Sequence, residues 1–216
     1  MSHLRFDSLR SVLCLGAHAD DIEIGCGGTL LRLLAAMPEV QVTWVVFSTP
    51  GEREQEARAS AERYLRHCCG KARFVTCSFR DGYFPFEGAA VKNRFRELAC
   101  ECSPDLVFSH RLEDAHQDHR LLAELTWQTF RAATILEYEI PKYEGDLGRP
   151  NLYSPLEESV CREKIERLGE CFPSQRDKPW FCDETFWSLL RLRGLECRAP
   201  SALAEAFTCR KGVLKL

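Results

Sequence analysis

Two short polar clusters carry residue types that bind metals and move protons. The first, HADD, spans residues 18–21, and the second, HQDH, spans residues 116–119. Each cluster alone has a structural explanation, because aspartates cap helices and histidines satisfy backbone carbonyls. Together they offer carboxylate and imidazole ligands in the three-ligand composition of catalytic zinc, which keeps a fourth position for water. The pair of clusters therefore favours a metal centre.

The remaining residues of the clusters suit hydrolysis. A hydrolytic zinc site needs a base for the attacking water and a group that stabilises the developing oxyanion or protonates the leaving amine. Asp20 and His116 are available for these two roles. Asp118 is available to orient an imidazole from outside the ligand set.

The pattern of strands predicts that the two clusters meet. Residues 11–17 form a continuous apolar run, typical of a strand buried on both faces, and this run ends at the first cluster. Residues 106–109 form a fourth strand shortly before the second cluster. In the strand order 3-2-1-4-5, the first and fourth strands flank the point where chain order reverses, and ligands bind there beyond the carboxyl ends.

Strand and helix patterns alternate along the first part of the chain. Residues 18–28 are predicted to form a loop, with Thr29 as the N-cap of the next helix and Pro38 as its end. The alternation implies crossover connections and a Rossmann-like, three-layer α/β fold with a mostly parallel sheet. The predicted strands are residues 11–17, 40–48, 72–79 and 106–109, and the predicted helices are residues 29–37, 52–69, 91–102 and 121–133.

Regularity weakens after residue 134. A strand-like ILEYEIP is followed by the turn-rich KYEGDLGRPN, residues 142–151, which we expect to be a loop near the site or an inserted lobe. Residues 157–171 and 184–192 have helical composition, and residues 203–214 supply a final strand. We therefore expect an irregular C-terminal part, and we treat residues 1–216 as a single domain.

Composition narrows the partners and the compartment. The net charge of -3 and the pI near 6.1 give no basic surface of the kind that nucleic acids or anionic membranes select. The apolar runs are too short to span a bilayer. Twelve scattered cysteines without a CxxC pair favour reduced thiols over a disulfide-bonded, exported chain. These features predict a cytoplasmic protein with a small-molecule substrate, no nucleic acid and no membrane partner, and they leave a homo-oligomer open.

The segment AHADDIEIGCGG, residues 17–28, together with HQDHR, residues 116–120, resembles the PIG-L, or LmbE-like, family of zinc-dependent N-acetylglucosaminyl deacetylases. The resemblance implies a Rossmann-like fold and the release of acetate and a free amine from an N-acetylglucosamine-like sugar or sugar conjugate. Ala19 stands where the family usually has proline, and this difference should loosen the loop slightly without removing a ligand.

The resemblance also implies roles for individual residues. His18, Asp21 and His119 match the zinc ligands, with iron or another divalent metal as the alternative ion. Asp20 matches the general base, and His116 matches the histidine that stabilises the oxyanion or acts as the acid.

Five further residues are candidates for contact with a sugar. Each follows or ends a predicted strand, where side chains reach a common cleft, but a solvated loop charge or the plain end of a strand explains them equally well. These candidates are Arg53, Arg80, Asp81, His110 and Tyr138. Tyr138 shares the irregular stretch after the last parallel strand with Glu139, Lys142 and Tyr143, and the sequence does not choose among these four.

Two other functions compete with the deacetylase. DAHQDH, residues 114–119, resembles the HxHxDH motif of metallo-β-lactamase-like hydrolases with its first histidine replaced, but that family would place the motif in an αββα sandwich. A non-catalytic, Rossmann-like nucleotide-binding module would use GCGG, residues 25–28, to hold a phosphate before a helix. The full GxGxxG spacing is absent from this segment.

Overall fold

A computed structural model of the chain describes residues 5–6, 8–66 and 68–213. His3, His67 and the last residue of the predicted 203–214 strand lie outside the described residues. The strands are β1 (Ser11–Gly16), β2 (Gln41–Val46), β3 (Ala72–Thr76), β4 (Leu106–His110), β5 (Thr134–Tyr138), β6 (Leu152–Pro155) and β7 (Ala204–Thr208). The α-helices are α1 (Asp21–Ala36), α2 (Arg53–Leu65), α3 (Gly88–Glu101), α4 (Gln117–Thr129), α5 (Glu158–Cys171) and α6 (Asp183–Glu196), with a short 3-10 helix at Pro173–Gln175.

The strands form one sheet in the order β3-β2-β1-β4-β5-β7-β6. Strands β1 to β5 are parallel, and Val12 of β1 pairs with Val42 on one side and with Leu106 on the other. The predicted order 3-2-1-4-5 is therefore confirmed. Because chain order reverses between β1 and β4, the loops after these two strands lie side by side at the carboxyl edge of the sheet. This topology differs from the αββα sandwich of metallo-β-lactamase-like hydrolases.

Helices cover both faces of the sheet and complete the three layers. Val12 and Cys14 belong to the core under α1, α2, α5 and α6, whereas Leu13 and Leu15 belong to the core under α3 and α4. This split follows from the pleat, which sends successive side chains to opposite faces. No helix in the described part of the chain is long and apolar enough to cross a lipid bilayer.

The first helix begins earlier than predicted, since the loop expected at residues 18–28 becomes α1 from Asp21 onward. The glycines of this helix allow neighbouring side chains to pack closely against its backbone. A Cβ at Gly25 would lie 2.2 Å from Cδ2 of Tyr138, and one at Gly28 would lie 2.5 Å from Cδ1 of Leu156. The segment proposed for phosphate binding, residues 25–28, is therefore buried inside α1. The glycine-rich loop that the nucleotide-binding alternative requires is not formed by this segment.

Gly25→Ala should destabilise the fold, because the added methyl group collides with the fully buried Tyr138 ring. Overpacking of this kind costs about 2 kcal/mol, which corresponds to a fall of roughly 4–8 °C in Tm for a chain of this size. Gly169→Ala in α5 is the matched control, since a Cβ there meets nothing within 4 Å. Thermal unfolding of both variants tests the packing, and an unchanged Tm for Gly25→Ala would contradict it.

The C-terminal part combines an irregular stretch, residues 139–151, with regular elements. Helices α5 and α6 match the predicted segments 157–171 and 184–192. The short strand β6 was not predicted, and its sequence LYSP ends in proline. Proline is tolerated there because β6 is the edge strand, paired only with the antiparallel β7.

All twelve cysteines lie in the described part of the chain, and each is a free thiol. Cys14, Cys26 and Cys161 are among those buried in the fold. Burial in apolar surroundings raises the pKa of the Cys161 thiol to about 11, so this side chain behaves as a small hydrophobic residue.

Candidate metal centre

The two polar clusters meet where α1 and α4 begin. His18 follows β1, Asp21 is the first residue of α1, and His119 lies in the first turn of α4. The side chain of His116 caps α4, because its Nδ1 accepts a hydrogen bond from the backbone N–H of Asp118 at 3.3 Å. Because His18 and His119 lie where neighbouring elements begin and end, Nδ1 of His18 is 3.1 Å from Nε2 of His119, although the two residues are far apart in the sequence.

Three side chains that can bind a divalent ion lie close together. Nδ1 of His18 lies 3.4 Å from Oδ2 of Asp21, and Nε2 of His119 lies 3.6 Å from Oδ1 of the same carboxylate. Zinc bonds of about 2.0–2.1 Å in tetrahedral geometry require ligand atoms to be roughly 3.3–3.4 Å apart. His18 and His119 thus lie next to the same carboxylate and next to each other, but they face its two different oxygens, Oδ2 and Oδ1 respectively. The three side chains have the donor atoms that zinc prefers.

A carboxylate stands behind each of these two imidazoles. Nδ1 of His119 contacts Oδ2 of Asp114 at 3.1 Å, and Nε2 of His18 lies 3.4 Å from Oδ2 of Asp118. Asp118 is itself held by two backbone N–H groups of the loop before α3, at 2.6 and 3.1 Å. Such carboxylates fix the orientation of ligating histidines. Asp118 lies where the sequence analysis expected an orienting group, whereas Asp114 was missed in this role.

Other combinations of ligand atoms share the same space. His110 is fully buried, its ring stacks on that of His119 at 3.9 Å, and its Nε2 accepts the backbone N–H of Ala17 at 3.0 Å. His110 thus lies beneath the centre. His116 uses Nδ1 to cap α4, so only its Nε2 is free to reach a ligand. The combinations found among the described residues are His18, His116 and His119; Asp21, His110 and His119; and His18, Asp81, His116 and Asp118.

Electrostatic interactions and burial favour the metal-binding protonation states of two proposed ligands. Burial alone would raise the pKa of Asp21, but the nearby imidazoles of His119, His110 and His18 hold it well below its usual range. Burial, reinforced by His110, lowers the pKa of His119 to about 3. At neutral pH, Asp21 is therefore ionised and His119 is neutral, which are the forms that bind metals.

His18 differs from His119 because carboxylates surround it. Burial lowers its pKa, but the nearby carboxylates of Asp118, Asp21 and Asp81 outweigh burial and place the pKa well above the usual histidine range. The metal-free protein thus keeps a proton on this ring. Binding of a metal ion at Nδ1 is coupled to the release of that proton.

Asp20 lies beside the centre with one oxygen free. Its Oδ1 accepts a hydrogen bond from Nη2 of Arg53 at 2.8 Å, while its buried Oδ2 has no partner among the described residues. Burial raises the pKa of Asp20; Arg53 opposes this shift, and the neighbouring Asp21 adds to it. A carboxylate with a raised pKa is a better proton acceptor at neutral pH.

The centre opens into a cavity of about 470 Å³. This volume lies within the range of small-molecule sites, roughly 300–1,000 Å³. Its walls combine charged groups with aromatic rings. Besides the proposed ligands and Asp20, they include Arg53, Asp81, His116, Lys142, Tyr143 and Trp180.

Only part of the predicted sugar-binding set reaches this cavity. Arg53 and Asp81 line it, and Oδ1 of Asp81 lies 3.0 Å from Nε2 of His18. The prediction for Tyr138 and His110 is wrong, because both side chains are fully buried, and the Tyr138 hydroxyl donates to the Leu15 carbonyl at 2.6 Å.

The prediction that Arg80 lines the cavity is also wrong. Its guanidinium lies 3.6 Å from the centroid of the Tyr83 ring instead of forming part of the cavity wall. Conversely, Trp180 lines the cavity but belongs to no motif in the sequence. It follows the 3-10 helix in a part of the chain that carries no local signal of function.

Comparison with known proteins places these observations in context. The model of the family described as PIG-L, GlcNAc-PI de-N-acetylase, matches residues 13–130, more than half of the chain. The uncharacterized deacetylase YaiS of Escherichia coli K12 is 25% identical over 172 residues, covering 74% of this chain and 89% of that protein.

Two solved structures share the fold. N,N'-diacetylchitobiose deacetylase from Pyrococcus horikoshii gives a TM-score of 0.71 with 20% identity, covering 94% of this chain and 84% of that one. GalB, the 4-carboxy-2-hydroxymuconate hydratase from Pseudomonas putida KT2440, gives a TM-score of 0.75 with 19% identity, covering 96% and 99%. At these identities the similarity shows a common fold.

Proposed function

The chain belongs to the GlcNAc-PI de-N-acetylase (PIG-L) family, and we propose that it is a zinc-dependent hydrolase that removes the N-acetyl group from an N-acetylglucosamine-like sugar or sugar conjugate. The products are acetate and a free amine. The observation that carries the proposal is the meeting of His18, Asp21 and His119 within 3.1–3.6 Å of one another, next to the free carboxylate oxygen of Asp20.

The first half of the reaction needs a water molecule that loses a proton as it attacks. His18, Asp21 and His119 would hold a divalent ion, which would polarise the acyl carbonyl and lower the pKa of that water. Asp20 accepts the proton on Oδ2, the oxygen that has no partner. Arg53 donates a hydrogen bond to Oδ1 at 2.8 Å, and this bond holds the carboxylate in place during the transfer.

The second half needs a donor for the oxyanion and then for the departing amine. In the metal-free protein, burial and the charge on His18 lower the pKa of His116, and a cation bound beside it would act in the same direction, so its ring is neutral at neutral pH. Because Nδ1 accepts the backbone N–H of Asp118, the proton of the neutral ring resides on Nε2. This Nε2–H would donate a hydrogen bond to the tetrahedral oxyanion. The proton that Asp20 took from the water would then pass to the departing amine, which restores the Asp20 carboxylate and leaves the His116 ring neutral.

The cavity suits a small N-acylated sugar. Arg53 and Asp81 are the proposed partners of sugar hydroxyls, since both line the cavity beside the metal centre. The free cysteines spread through the fold are compatible with the reducing cytoplasm that the composition predicts.

The test is acetate release from a panel of N-acetylated monosaccharides, disaccharides, nucleotide-linked sugars and glycoconjugates. We expect at least one substrate to yield acetate and free amine in equal amounts, a chelator to abolish the reaction, and added zinc or iron to restore it. Because GalB shows that this fold also houses a hydratase, every substrate is analysed for water addition without loss of acetate. Absence of acetate release by the metal-loaded protein across the whole panel would contradict the proposal.

A further inference from the structure

A buried lysine ion-pairs with aspartates in two loops at the cavity. Nζ of Lys142 lies 3.1 Å from Oδ1 of Asp114 and 2.6 and 2.7 Å from the two carboxylate oxygens of Asp146. The side chain of Lys142 is only 8% exposed, so these contacts are largely shielded from water. We name residues 141–148 the recognition loop and residues 111–116 the histidine loop.

Further hydrogen bonds join the same two loops. Oδ2 of Asp146 accepts the backbone N–H of Ala115 at 2.7 Å, and Nη1 of Arg111 donates to the backbone oxygen of Asp146 at 2.8 Å. Gly148 lies so close that a Cβ there would be 2.7 Å from Cζ of Arg111. The two loops therefore pack directly against each other.

The recognition loop and the histidine loop have different roles in the proposed reaction. The recognition loop places Lys142, Tyr143 and Glu144 in the cavity wall. The histidine loop carries His116 and also Asp114, whose Oδ2 holds Nδ1 of His119 at 3.1 Å. Without Lys142, the carboxylates of Asp114 and Asp146 would face each other without a cation between them, and like charges in a shielded place repel strongly.

We propose that Lys142 is a positioning residue that fixes the recognition loop against the histidine loop, so that the substrate-contacting wall and the catalytic histidines keep one geometry. Its kinetic consequence rests on the proposed function, whereas the coupling of the loops does not. Asp114 reaches His119 through its other carboxylate oxygen, so the metal centre should survive loss of the lysine. The effect should fall on substrate binding.

The first experiment compares hydrogen–deuterium exchange in zinc-loaded wild type and Lys142→Met without substrate. We expect exchange in the recognition loop and the histidine loop to accelerate together, by about fivefold or more, because the contacts that close them are lost. Lys142→Arg should restore most of the protection by keeping the cation. Lys92→Met is the matched control, since Nζ of Lys92 donates to the exposed Gln128 and forms no ion pair with a described residue. Unchanged exchange in either loop of Lys142→Met would overturn the proposal.

The second experiment separates binding from chemistry with a substrate found in the acetate-release panel. Lys142→Met should raise KM about tenfold while kcat stays within about threefold, because the lost interactions bind the substrate and the transition state equally. The zinc-induced rise in Tm should persist. A fall in kcat with unchanged KM, or loss of the zinc effect, would overturn the positioning role. If the loops loosen together but no substrate releases acetate, the coupling stands and the proposed function fails.

Discussion

Asp20→Asn should lower kcat by about 10²–10⁴-fold and leave the metal in place. Asparagine keeps the size of the side chain and an oxygen for the Arg53 hydrogen bond, which is 2.8 Å long in the wild type. It cannot take a proton at neutral pH, however, so the water loses its base. The measurement is kcat for acetate release, together with zinc content by elemental analysis.

Asp183→Asn is the matched control for this variant. Asp183 is exposed and begins α6, so it shares with Asp20 a place at a helix N-terminus but lies away from the cavity wall. We expect wild-type kcat for the control. A kcat for Asp20→Asn within about tenfold of wild type, with zinc retained, would show that another group accepts the proton.

The sequence is informative about the site because its signals are local. His18, Asp20 and Asp21 lie within four consecutive positions directly after a buried strand, and His116 and His119 follow another such strand. Apolar runs reveal buried strands, and the alternation with helices constrains the order of the sheet. From these two facts, the meeting of the clusters could be predicted without knowing any side-chain contact.

What escaped prediction depends on tertiary packing. Gly25 is typical of a loop when judged by its neighbours in sequence, but it lies within α1, where the absence of a Cβ leaves room for the Tyr138 ring. His110 ends a strand beside the site, yet its side chain points beneath the metal centre into the core. Propensity describes a residue with its neighbours in sequence, and it carries no information about which distant side chain fills the space.

The roles of Asp114 and Lys142 show the same limit. Asp114 precedes His119 by five positions in an irregular loop, a spacing that indicates nothing until the loop conformation is known. Lys142 lies in a turn-rich stretch where several polar residues are equally plausible substrate contacts. Only the fold brings these two charges to 3.1 Å from each other.

His119→Ala should abolish metal binding. Ligands that bind only the folded state stabilise it by about 4 kcal/mol at a thousandfold excess over Kd, which is a Tm gain of roughly 8–16 °C for a chain of this size. Removal of one of three ligands should reduce affinity by more than the 10–100-fold typical of outer partners. A loss of about 10³-fold brings Kd up to the zinc concentration, where the stabilisation is about 0.4 kcal/mol and the zinc-induced Tm gain falls to about 1–2 °C.

The gain in Tm is compared between variants because His119 is buried against His110, so the alanine variant starts from a lower Tm even without zinc. His119 belongs to the proposed ligand set and to both three-residue alternatives. Of the two three-residue alternatives, His116→Ala removes a ligand from only one and His110→Ala from only the other. The four-residue alternative contains His116 but not His119, so it does not predict an effect of His119→Ala. If both of these variants keep the zinc-induced gain while His119→Ala loses it, only His18, Asp21 and His119 fit all three results. A full gain in His119→Ala would mean that the ion binds elsewhere.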